Sequence, residues 1–343
     1  MVRVVLKSTP KAGTDYKYSA VVVEDSEYPK QGSSQDALVN LQAVAFNHRD
    51  LWILKGLYPG IVPESVLGSD AVGTLQGATS KLAEGRRVLL NPGHGWISRK
   101  AGPENKFSIL GLLPDVGTFA DKVAIDEDEL VACPDHLSTV EAAALPLAGL
   151  TAYRALFTKG EVEAGDHVLI TGIGGGVALF ALQFAVAAGA NVYVSSSSDE
   201  KIQKAIELGA KGGINYKDDD CIDKLKAKLG DNRLSAIIDG AGGPLYGEYH
   251  KVLNLGAKVV QYGHTASPQG VTFNAQYWIK NVDFRGSTMG SRREFHEMVA
   301  FVDRHKIKPI VSHTWKGLNQ ENVDDACNVM DNSDQFGKLV IQL

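Results

Sequence analysis

Cysteine is scarce in this chain: Cys133, Cys221 and Cys327 are the only three, and no two share a short spacing. That excludes a disulfide framework and every cysteine-rich zinc motif, and it points to a reducing compartment. A strong charge of either sign is also missing. The 35 basic and 40 acidic residues leave a net charge of −5, with no basic cluster to serve as a nucleic-acid footprint. The first residues, MVRVVLKSTPKAG, have neither the apolar core of a signal peptide nor the Arg-rich pattern of a transit peptide, so a cytoplasmic location is expected. Residues 168–191 contain no charged side chain. Their number would allow a membrane span, but glycines interrupt them, Gln183 lies among them and a strand follows at once, so no membrane partner is expected.

That same stretch, VLITGIGGGVALFALQFAVAAGAN, is the most informative in the chain. Val168–Ile170 has the apolar run of a strand buried on both faces. Gly172, Gly174, Gly175 and Gly176 follow, then an uncharged helical segment from Val177 that closes at Gly189. A strand, a glycine loop and a helix place free backbone N–H groups and a helix dipole at one point, which suits a pyrophosphate. The next strand, Val192–Val194, runs into Ser195, Ser196, Ser197 and Ser198, where a dinucleotide fold meets the adenosine ribose. Hydroxyls, with Lys201 beyond them, would suit a 2′-phosphate where a carboxylate would repel it, which favours NADPH over NADH. Asp199 fits the N-cap of a helix over 200–208. The alternative is a solvated serine turn beside an ordinary surface lysine.

At 343 residues, with 44% hydrophobic and 22% charged content, the chain is expected to form two globular domains. The first third has short strand patterns at 3–6, 18–23, 37–46, 86–90 and 117–125, with a long loop over 91–117. Ser138-Thr139-Val140-Glu141 is a capping box opening a helix over 142–158, bent at Pro146. Strands and helices then alternate to about residue 286: the Gly213–Tyr216 element, a helix over 220–229, a strand over 236–239, a helix over 244–253, and strands over 258–262 and 282–286. Such alternation means a parallel sheet covered on both faces. The tail carries helices over 292–305 and 321–330 and a strand over 337–343.

Taken in order, NHRDLWILKGLYPG (47–60), LGSDAVG (67–73), GRRV (85–88), ALPLAGLTAYRAL (144–156), TGIGGGVALFALQFA (171–185) and GKLVI (337–341) resemble the medium-chain dehydrogenase/reductase superfamily. Within it the chain is similar to the zinc-independent quinone oxidoreductase-like branch. The resemblance spans essentially the whole chain. It implies an α/β fold: a GroES-like, mostly-β catalytic domain over 1–136, a Rossmann doubly wound parallel sheet over 137–288, and a return to the catalytic domain over 289–343. It also implies a homo-oligomer, dimer or tetramer. Zinc alcohol dehydrogenases of the superfamily place a Cys where Asn47 stands, a His where Ser69 stands and a Cys near Leu147. None of these positions offers a thiolate or an imidazole here, so no metal site is expected.

By the same resemblance Asn47, Asp50 and Tyr58 line the substrate cleft, with Asn47 or Tyr58 donating to a substrate oxygen. Each has a structural alternative, and Asp50 suits an architectural role better than proton donation when ionised. His48 is open between surface and site. Thr151 matches a position near the nicotinamide, or is a helix residue bonding to its own turn. Tyr216, Gly263 and Gly286 match regions bordering the cofactor, and Lys338 matches a cofactor-side position or is an exposed lysine. Without a Lewis acid a conjugated acceptor is the easier substrate, because hydride leaves a delocalised anion. The expected activity is therefore NADPH-dependent, zinc-independent reduction of a quinone or an α,β-unsaturated carbonyl. The alternatives are a zinc-independent alcohol or ketone dehydrogenase, and an NADPH-binding protein without significant turnover.

Overall fold

The computed structural model describes residues 1–24, 36–111, 116–265 and 273–343. They divide into two compact units, Met1–Ala148 with Gly290–Leu343, and Gly149–Met289.

The second unit is built on a six-stranded parallel sheet. Its strands in chain order are β1 (His167–Ile170), β2 (Asn191–Ser196), β3 (Gly212–Asn215), β4 (Leu234–Asp239), β5 (Leu253–Gln261) and β6 (Asp283–Gly286). They lie in the order β3-β2-β1-β4-β5-β6, so the direction of winding reverses between β1 and β4. A ligand crevice forms at such a reversal, outside the carboxyl ends of the strands. Leu169 pairs with Tyr193 on one side and with Ile237 on the other, and all three are buried. That burial on both faces explains why these strands lack polar alternation. Three α-helices separate the early strands: α1 (Gly176–Ala187), α2 (Asp199–Glu207) and α3 (Cys221–Leu229). Ile222, Leu225 and Leu229 are buried, as the period of α3 requires.

The first unit is centred on a long strand, Asp36–Ala45, in a seven-stranded sheet. Asp70–Gln76 and Lys122–Asp126 pair with it antiparallel, and so does the C-terminal strand Lys338–Gln342. The tail thus completes the sheet begun by the N-terminal third. Its helix Arg292–His305 has the expected bounds and buries Phe295, Met298, Val299 and Val302.

Several local expectations need correction. Ser138 does cap a helix, but Thr139–Ala144 stops before Pro146, which opens a second helix, Pro146–Tyr153, continued by a π-helical turn over Arg154–Lys159. The proline cannot continue the first helix yet suits the first turn of the next. Thr139–Ala144 belongs to the first unit, which the chain leaves after Ala148 and not after residue 136. Ser198 caps α2, its Oγ accepting the Lys201 N–H, and Asp199 is the first helical residue. Pro244–Lys251 forms two short 3₁₀ turns where one helix was expected. The strand expected over 117–125 is Lys122–Asp126. Within the expected loop 91–117, Gly93–His94 pairs with Ser108–Ile109, and residues 112–115 lie outside the described residues.

Candidate active site

In the first unit, strand register alone brings three distant residues together. Ala45 pairs with Val340 on one side and with Asp70 on the other, so Asn47, Asp70 and Lys338 meet at one end of the sheet. Gly68 makes the turn into Ser69-Asp70 at φ +90°, where an added Cβ would lie 2.3 Å from the Phe119 ring. Lys338 Nζ donates to the Phe46 carbonyl (2.6 Å), Asn47 Oδ1 (2.6 Å) and Asp70 Oδ2 (2.9 Å). An ammonium has three N–H groups, and all are engaged. Lys338 is only 4% exposed. It is therefore neither a surface lysine nor free to donate to a cofactor without giving up one of these bonds.

Asn47 is equally committed. Its Nδ2 donates to Asp70 Oδ2 (3.0 Å) and Ser69 Oγ (3.3 Å). Its backbone N–H donates to Asp50 Oδ2 at 2.8 Å. No amide hydrogen remains for a substrate oxygen, which corrects the donor role expected of Asn47. Asp50 is buried at the start of the seven-residue helix His48–Leu54. Burial lifts its carboxyl to about 6, against the opposing pull of Arg49, the Asn47 N–H and Lys338. Its Oδ1 has no hydrogen-bond partner among the described residues. His48 is half-buried, and burial together with the Lys338 charge holds its imidazole below the usual value, so it is neutral near pH 7.

Arg49, which the sequence reading passed over, is buried beside Asp50. Its Nη1 donates to the Leu110 carbonyl (2.8 Å) and lies 3.7 Å from Asp50 Oδ1. Its guanidinium carbon sits 5.3 Å from the centre of the Tyr58 ring. A basic residue between two expected cleft residues was the signal available in the sequence.

Zinc does not suit this donor set. Ser69 is fully buried with its hydroxyl against Asn47, Leu147 contributes only its N–H to Asp70 Oδ1 (2.8 Å), and no thiolate or imidazole stands at the three positions. The oxygens of Asn47 and Asp70 already hold an ammonium that a divalent cation would have to displace. Among the described residues no group of three or more His, Cys, Asp or Glu could hold a metal.

In the second unit the glycine loop follows β1. Gly172 (φ +65°) and Gly174 (φ +118°) adopt left-handed conformations, and Ile173 N–H donates to the Ser195 carbonyl (2.9 Å). The helix α1 begins at Gly176-Val177 with Gly175 as N-cap and no side-chain cap, which leaves its first N–H groups for an anion. A Cβ on Gly174 would lie 3.0 Å from Lys201 Cδ and 3.5 Å from its Nζ, so Lys201 reaches back over the loop. At the end of β2, Ser195 and Ser196 are buried, Ser196 Oγ accepts the Ser198 N–H (3.2 Å), and Ser197 is exposed. Asp199 accepts from Asn215 Nδ2 (3.2 Å), and Tyr216, 38% exposed, donates its N–H to the Ser196 carbonyl (3.0 Å). Of Ser195, Ser196 and Ser197, only Ser197 is thus exposed.

At the ends of β5 and β6, Gly263, Gly286, His264 and Thr288 line an open cavity of about 450 Å³. Thr151 is buried, its Oγ1 3.9 Å from Met289 Sδ. The glycine loop, uncapped helix, Lys201 and Ser197 therefore fit a dinucleotide phosphate.

The profile of the "Alcohol dehydrogenase GroES-like domain" matches residues 33–135, and that of the "Zinc-binding dehydrogenase" matches residues 176–304. The chain is 44% identical to the zinc-type alcohol dehydrogenase-like protein YogA of Leptosphaeria maculans, over 90% of each. It is 27% identical to an acryloyl-coenzyme A reductase of Sulfurisphaera tokodaii over 93% of this chain and 96% of that one. Quinone oxidoreductase 1 of Escherichia coli is 29% identical over 69% and 67%. A solved NAD-dependent alcohol dehydrogenase superposes with a TM-score of 0.87 at 29% identity, covering all of both chains. The chain belongs to the medium-chain dehydrogenase/reductase superfamily and is an oxidoreductase of that type. No helix among the described residues is long and apolar enough to cross a membrane.

Proposed function

We propose that this protein reduces a conjugated acceptor, a quinone or an α,β-unsaturated carbonyl, with hydride from NADPH and without zinc. The observation that carries the reading is the Asn47–Asp70–Lys338 network, in which Asn47, standing where zinc relatives place a Cys, is held by a carboxylate and an ammonium. A site without a Lewis acid lacks the main means of polarising an isolated ketone, whereas a conjugated acceptor spreads the incoming charge by itself. The names of the acryloyl-coenzyme A and quinone reductase relatives agree with this class.

Bound NADPH would supply the hydride. Gly172, Gly174, Gly175, Gly176 and Val177 would hold its diphosphate, Lys201 and Ser197 its 2′-phosphate, and Tyr216 would flank the adenosine. Thr151, Gly263 and Gly286 would border the nicotinamide. In the first unit, Arg49 supplies positive charge for the developing anion. Asp50, with a carboxyl near 6, can hold a proton at Oδ1 close to neutral pH. Lys338 fixes Asn47, and through it the backbone that carries Asp50. The reading includes a cytoplasmic homo-oligomer, whose size sedimentation would measure.

The test is titration of the protein with NADPH and NADH, followed by mixing with 9,10-phenanthrenequinone and a 2-alkenal, with and without chelator. NADPH-selective oxidation that ignores chelator is expected. Preference for NADH, or abolition by chelator, would overturn the cofactor and metal parts separately. Tight NADPH binding without turnover on either acceptor would overturn the reductase.

A further inference from the structure

The buried guanidinium of Arg49 is left incomplete. Of its three nitrogens, Nη1 is bonded to the Leu110 carbonyl, while Nε and Nη2 are buried and have no partner among the described residues. Leaving such donors unmade inside a protein is costly, the more so on a charged group, so an arrangement of this kind calls for an acceptor. Nε and Nη2 form one edge of the planar fork, which presents two parallel N–H groups to a pair of coplanar oxygens. The Tyr58 ring lies over the guanidinium and is itself only half-buried, in a turn flanked by Gly56 and Gly60 at φ +70° and +74°.

We infer that Arg49 selects the acceptor, taking the two adjacent oxygens of an ortho-quinone on its Nε–Nη2 edge as Tyr58 turns aside. This deepens the reductase reading and rests on it. A carboxylate would match the fork equally well, but it would bring a second anion beside Asp50, whose Oδ1 is 3.7 Å from Nη1. A neutral ortho-quinone avoids that repulsion and becomes anionic only as it is reduced. Hydride transfer delivers two electrons and one proton and leaves the nicotinamide oxidised. The quinone becomes a catecholate monoanion held on the fork, and one further proton, from water, completes the catechol. The tyrosine ring offers a planar aromatic acceptor a stacking face.

The test compares wild type, Arg49→Lys and Arg49→Gln with 9,10-phenanthrenequinone, 1,4-naphthoquinone, a 2-alkenal and a 2-enoate. Wild type is expected to prefer the ortho-quinone. Arg49→Lys keeps the charge but loses the fork, so KM for the ortho-quinone should rise about tenfold while the single-carbonyl acceptors change less than about twofold. Equal losses on all acceptors, no loss, or a preference for the 2-enoate would overturn the assignment. If no acceptor is turned over, the reductase reading fails, and quenching of protein fluorescence by 9,10-phenanthrenequinone in the NADP⁺ complex decides this inference alone. An unchanged Kd in Arg49→Lys overturns it and a raised one supports it. If neither variant folds, the wild-type preference decides, and equal or better use of 1,4-naphthoquinone overturns it.

Discussion

Lys338 and Asp70 form a buried ion pair, Nζ to Oδ2 2.9 Å, across 268 residues of chain. Asp70 has no exposed surface, and its carboxylate also accepts from Asn47 Nδ2 and the Leu147 N–H. Removing one partner would leave a buried charge uncompensated. Lys338→Met should therefore destabilise the protein by about 3–5 kcal/mol, and adding Asp70→Asn should restore part of that. Urea denaturation of the two variants and the double variant checks it. A double variant no better than Lys338→Met would show that packing of the lysine stem dominates.

Asp50 makes stability pH-dependent with a definite sign. Its carboxyl is raised from 3.8 to about 6 by burial, so the folded state holds the proton more tightly than the unfolded chain. Its favourable contribution is complete below pH 3.8 and is lost as pH rises to about 6. The loss amounts to about 3 kcal/mol. Asp50→Asn stays neutral throughout, so its stability relative to wild type should improve by about that amount between pH 4 and pH 7. Denaturation at the two pH values measures this. A constant difference would mean that Asp50 keeps an ordinary carboxyl.

Lys201 should discriminate between the two nicotinamide cofactors. If its ammonium meets a 2′-phosphate, Lys201→Ala raises Kd for NADPH about tenfold and that for NADH less than about twofold. Fluorescence titration with both cofactors gives the ratio. Equal weakening would put the ammonium on the diphosphate instead.

Gly174→Ala asks whether the loop conformation itself is needed. At φ +118° any side chain is strained, and the new Cβ would meet Lys201 Cδ at 3.0 Å. A cost of about 1–3 kcal/mol is expected, with weaker NADPH binding. Thermal unfolding with and without NADPH separates the two effects. Unaltered stability and binding would show that the loop relaxes freely.

How much of this was visible in the sequence follows the range of the forces involved. The glycine loop, β1, α1 and α3 were legible because periodicity, turn glycines and caps act within a few residues. So was Arg292–His305, whose apolar period is local. The capping box at Ser138 was legible too, but not which sheet its helix covers, since the packing partner lies far along the chain. The serine run was legible as hydroxyls. That Ser195 and Ser196 turn inward depends on strand register. The same limit hid Lys338, because nothing local in GKLVI reveals that Asp70 and Asn47 await it two strands away. Arg49 escaped notice because its place between Asn47 and Asp50, though visible, does not reveal that the side chain is buried.

The ammonium that completes the Asn47–Asp70 network also sets a schedule for synthesis. Lys338 leaves the ribosome roughly 190 residues after Ala148, about 10–40 s later at ordinary elongation rates of about 5–20 residues per second. Throughout that interval the N-terminal part of the first unit carries Asp70 without its counter-charge and one side of the strand Asp36–Ala45 without its pairing partner. The first unit is thus completed only after the second has been made, although its own synthesis starts earlier. A nascent chain stalled before the final strand should expose that edge to proteolysis or to a chaperone.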